Sequence, residues 1–143
     1  MPDSGGPPNC NPACQKIILD GDLLGAVFST TGERIGKYHR PLKSKDDIDL
    51  AFHEAVNASY EFIALVRHEI GADTATQLYV ETPEHMAKVI EDTCEKIEAF
   101  GRPIPQADEV IMKLIAAEDL AFKWCRAVLE GMGYTGPWPQ CLS

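Results

Sequence analysis

The chain has 143 residues, 45% hydrophobic and 24% charged, which fits one globular domain with a real core and excludes wholesale disorder. Its 22 Asp and Glu against 13 Lys and Arg give a net charge of −9, which argues against a general nucleic-acid binder. No apolar run approaches the roughly 18 residues of a membrane span, and the opening Met1-Pro2-Asp3-Ser4 lacks leader features, so the expected location is the cytosol.

Residues 1–15, rich in Pro and Gly, read as a flexible arm ahead of one domain over 16–143. Leu23 to Phe28 and Arg34 to Tyr38 look extended around Ser29-Thr30-Thr31-Gly32, which predicts a β-hairpin over about 23–39. A first long helix is expected over about 45–70, with Ser44 as N-cap and the stripe Ile48, Phe52, Ala55, Ser59, Phe62, Val66, Ile70 facing a core. Thr76 to Val80 has the composition of a short strand. A second helix over 83–100 starts at Thr82-Pro83 and stops at Gly101. A third, over about 105–130, is apolar round more than half its circumference, so it is central to a bundle or part of an oligomer interface. The tail from Gly133 to Pro139 cannot be helical; capping the core is favoured over presenting Trp138 to a partner. The predicted class is mainly α, three long helices in a bundle with a short N-terminal β-hairpin, with α+β as the alternative.

Charge is unevenly placed. Residues 1–45 carry six cations and four acids, and residues 46–143 carry seven and eighteen. Five of those six cations (Arg34, Lys37, Arg40, Lys43, Lys45) fall in a twelve-residue segment with no acid. Arg34, Lys37, Tyr38, His39, Arg40 and Lys43 are therefore the candidate anion-binding residues. Arg offers bidentate geometry to a phosphate, an aromatic ring can stack, and the segment ends on a helix N-terminus. The plainer account is a charged edge strand balancing an acidic body.

Other chemistry finds weaker footing. His53 and His68 are fifteen residues apart on one helix, about 22 Å along its axis, too far to share a metal. His85 lies beside Glu81 and Glu84, and Glu118 is the acid of the third helix that a metal site would need. Cys94 and Cys125 read as core thiols, while Cys10, Cys14 and Cys141 lack the spacing of a zinc site or disulfide framework. No phosphate-loop, dinucleotide or nucleophile-elbow pattern is present. No cofactor is expected.

The sequence thus favours a non-enzymatic acidic binding protein, a regulator, inhibitor or adaptor acting through surface complementarity. A homo-oligomer is expected, with Leu120, Trp124, Val128 and Trp138 at an interface. Its partner would be a protein; the alternatives are capture of a small anionic ligand, such as a nucleotide or phosphorylated metabolite, on segment 34–45, and a metal-dependent enzyme using helix carboxylates and histidines.

Overall fold

The computed structural model describes residues 17–71 and 80–142 and contains four long helices: α1 (Ile17–Lys37), α2 (Lys45–Glu69), α3 (Pro83–Phe100) and α4 (Ala107–Gly131). A short 3-10 turn, Gln140–Leu142, follows in the tail. Helices α2, α3 and α4 occupy the segments where helices are expected. The Pro/Gly-rich arm, with Cys10 and Cys14, and most of the expected strand at Thr76 to Val80 lie outside the described residues.

The hairpin is corrected: residues 23–39 are mostly the second half of α1 and contain no strand. Two helical periodicities run through this segment. Leu24, Phe28, Thr31 and Ile35, spaced four, three and four, form the core-facing stripe, with Leu24, Phe28 and Thr31 buried. Gly21, Gly25 and Gly32, the last of which was expected in the hairpin loop, form a second row. A Cβ added at Gly21 would collide with Cys94 Sγ, and one at Gly32 would lie 2.9 Å from Pro83 Cβ. These positions are bare because α3 passes close by. Close packing offsets glycine's weak helix propensity.

α1 packs on α3 and α4, and α2 on α4 and α3, while α1 and α2, and likewise α3 and α4, make no close backbone contact among the described residues. Helices consecutive at each end of the chain therefore sit diagonally across the bundle. Two ion pairs tie neighbours together, Arg67 to Asp92 across α2 and α3 and Lys113 to Glu61 across α4 and α2, at 2.8 and 2.9 Å. One core draws on all four helices, from Leu24 and Phe28 through Phe62 and Ile63 to Ile90 and Leu114.

The caps differ from expectation in one place. Thr82 caps α3 by accepting from the backbone N–H of His85 at 3.1 Å, with Pro83 in the first turn. Ser44 does not cap α2 through its side chain; it is left-handed, with φ 55°. At the far end of α4, the N–H of Tyr134 reaches Leu129 O and that of Gly133 reaches Glu130 O, a Schellman closure around Gly133 at φ 96°.

Candidate functional site

The basic segment is built where three helix ends meet. α1 ends at Lys37, the connection 38–44 crosses the end of α4, and α2 begins at Lys45. The connection is fastened by the Lys43 N–H, which donates to Gly131 O at 3.1 Å. Gly131 permits that approach, since a Cβ there would lie 2.9 Å from Lys43 O and 2.8 Å from Ile48 Cδ1. Leu42 packs beneath, half-buried against the core.

On this platform Arg34 points its guanidinium to Cys125 Sγ at 3.8 Å. Tyr38 donates to Met132 O at 3.5 Å, and Arg40 lies 5.3 Å above the Tyr38 ring. Lys37, His39 and Lys43 are exposed. Because this segment is a helix end and not the expected strand, its side chains do not alternate between two faces. The helix and the turn after it gather Arg34, Tyr38 and Arg40 beside the end of α4 instead. Lys45 is drawn off by Asp49, 2.8 Å away, and that carboxylate raises its pKa. Arg34, Lys37, Arg40 and Lys43 make no ion pair among the described residues.

Part of this placement is structural. Arg34 and Lys37 occupy the last turn of α1, where cations complement the helix dipole. The N-terminus of α2 has Asp46 and Asp47 in its own first turn. The α2 terminus is thus already complemented by its own carboxylates, and the cationic groups at this end are the arginine and lysine side chains.

The expected interface residues lie elsewhere. Trp124 and Val128 are 1% and 0% exposed. Trp124 stacks within a cluster whose ring centroids lie 5.5 Å away for Phe28 and 5.0 Å for Phe52. The apolar breadth of α4 is thus used inside one chain, with α1 on one side and α2 on the other. Leu120 is half-buried against the same core. Trp138 is half-buried in the tail, which folds back on α4: Arg126 sits 4.6 Å over its ring and donates to Leu142 O at 2.7 Å.

His53, His68 and His85 are exposed and Glu118 is fully buried. No group of three or more His, Cys, Asp or Glu side chains able to hold a metal forms among the described residues. No helix of the described residues is long and apolar enough to cross a membrane.

A second feature went unread in the sequence: a groove of about 390 Å3 between α1 and α3. Gly21, Gly25, Ala26 and Ser29 form its α1 wall, and Asp22, Glu84, Lys88 and Glu91 carry its charge. The signal was there in the four-residue spacing of Gly21, Gly25 and Ser29. Behind Gly21 sits the buried Cys94 thiol, pushed up to about 12 by burial and by the neighbouring Asp22 carboxylate. It is a proton-holding core group rather than a nucleophile.

No protein-family model matches this chain, and neither do any curated protein or solved structure.

Proposed function

We propose that this is a non-enzymatic binding protein whose basic end receives an anionic partner through surface complementarity. The observation carrying this reading is that Arg34, Lys37, Arg40 and Lys43 lack ion pairs among the described residues, in a chain of net charge −9. Asp46 and Asp47 stand in the first turn of α2 at this end, yet neither they nor any other acid among the described residues pairs with the four. All four are exposed and distributed over a helix end and a connection. That arrangement suits an extended acidic or phosphate-bearing surface and steers it over a Debye length. Action in the cytosol as a homo-oligomer belongs to the same proposal.

Capture of a small phosphate-bearing ligand is the second reading. The Arg40–Tyr38 stack favours it, because it pre-orders the Arg40 guanidinium.

Calorimetric titration of polyphosphate and of inorganic phosphate into wild type and Arg40→Ala, at low and high salt, tests both. Salt-sensitive binding of polyphosphate, weakened roughly tenfold by Arg40→Ala (about 1.4 kcal/mol), supports the first reading. Comparable binding of phosphate alone turns it into the second. Binding of neither probe overturns both.

A further inference from the structure

The groove between α1 and α3 is lined by charges of both signs that are not paired with one another. The two helices run antiparallel along it: Gly21 lies against Cys94, Gly25 against Ile90 and Gly32 against Glu84. Asp22, Glu84, Lys88 and Glu91 all line the groove and are exposed, and none makes an ion pair among the described residues. For Lys88 this runs against its sequence, because Glu84 precedes it by four residues, the order in which a helical pair forms most readily. Glu84 is instead turned onto α1, where a Cβ at Gly32 would lie 2.5 Å from its Oε2. Lys88 is thereby left to the groove.

Toward the other end the charge reverses. Asp22 and Glu91 both act on the Cys94 thiol, which stands behind Gly21. Glu91 follows Lys88 by three residues, about 4.5 Å along the helix axis. One ammonium and two carboxylates therefore line the same cavity within about a turn of each other. The walls around them are bare. Gly25, Ala26 and Ala87 present nothing beyond a Cβ, and Ser29 adds one hydroxyl, half-buried. A cavity of about 390 Å3 with this lining offers a ligand room and charge but little apolar grip.

We propose that this groove binds a small zwitterion, a free amino acid with a short side chain. Its ammonium donates to Asp22 and Glu91, and its carboxylate accepts from Lys88 and from the Ser29 hydroxyl, so every bond is charge-assisted. Selectivity follows from the two signs together. A simple amine or a diamine meets Lys88 as a like charge, and a simple carboxylate meets Asp22 and Glu91. The site goes beyond the basic-end reading and is separate from it, since no residue of 34–45 lines the groove.

Titration of glycine, L-alanine and L-serine into the full chain at low salt, followed by backbone amide shifts, tests the proposal. Methylammonium, acetate and putrescine are the controls. Saturable shifts at 21–29 and 84–91 are expected for the amino acids, with each control binding at least roughly tenfold more weakly. Lys88→Gln and Glu91→Gln should each weaken L-alanine binding by roughly tenfold, whereas Glu84→Gln, already turned away, and Arg40→Ala, at the basic end, should leave it unchanged. All four side chains are exposed, so helical circular dichroism should stay native. If Glu91→Gln misfolds, Asp22→Asn tests the same carboxylate pair. No saturable binding of any of the three amino acids, equal binding of methylammonium or putrescine, or L-alanine binding that ignores Lys88→Gln each overturns the proposal. None of these results bears on polyphosphate binding, which Arg40→Ala reads separately.

Discussion

The two halves of the bundle are held together in opposite ways. Between α2 and α4 the contact is bulky: Phe52, Phe62, Trp124 and Val128 fill the space, and Lys113 and Glu61 clasp its edge. Between α1 and α3 the contact is thin, with Gly21 and Gly32 bare so that α3 can press on α1. Bulky packing spends its apolar surface inside the chain, which explains why Trp124 and Val128 leave nothing for a partner. Thin packing does the reverse. It sets the helices close at the back and leaves an open groove and unpaired charges at the front.

The sharpest way to break this contrast is to empty the bulky side. Trp124→Ala removes the ring between Phe28 and Phe52 and should cost about 3–5 kcal/mol, read as a denaturant midpoint with unchanged slope. If Trp124 instead lay at an interface, most of that loss would appear as dissociation.

On the thin side the opposite operation does the damage. Gly21→Ala adds one methyl where Cys94 Sγ already stands and should cost about 1–3 kcal/mol despite alanine's better helix propensity. Gly36→Ala, on the same helix with nothing within 4 Å, should gain about 0.5–1 kcal/mol. Opposite signs from the same substitution would separate a packed glycine from an unpacked one. Gains at both positions would mean that α3 does not lie against Gly21.

An effect confined to alkaline pH, and absent near neutrality, comes from the thiol behind that glycine. Cys94 ionises near 9.0 in an ordinary setting and near 12 in the folded chain. The folded state therefore keeps a proton that the unfolded state releases. Its contribution to stability is complete below pH 9 and is lost as pH climbs toward 12. Cys94→Ala should flatten the alkaline part of the stability profile, and site-resolved alkylation at pH 8 should find Cys94 protected until the chain unfolds.

The same contrast explains what was legible in the sequence. α2, α3 and α4 announce themselves through large apolar residues at helical spacing, with Thr82-Pro83 and Gly101 marking the ends of α3. α1 hides because its packing surface is made of absent side chains. Gly32 looks like turn chemistry, and Gly25 like part of an extended segment, until a neighbouring helix is known to need the space. The stripe Leu24, Phe28, Thr31, Ile35 did carry the helical period, but Thr31 breaks its apolar character. Of the candidate anion residues, the composition of 34–45 was plain from the chain. Their grouping was not, because Arg34 and Tyr38 are placed by Cys125 and Met132, which are distant in sequence. The breadth of α4 was also visible. Whether that breadth faced the chain's own helices or another copy depended on α1 being a helix.

The basic end as the place of anion binding is tested most directly by backbone amide chemical-shift mapping during titration with polyphosphate. Salt-sensitive shifts concentrated on residues 34–45 and on Gly131 to Tyr134, with the amides of 21–29 and 84–91 unmoved, are the predicted result. Shifts confined to the α1–α3 groove, or spread without focus over the whole chain, would contradict it.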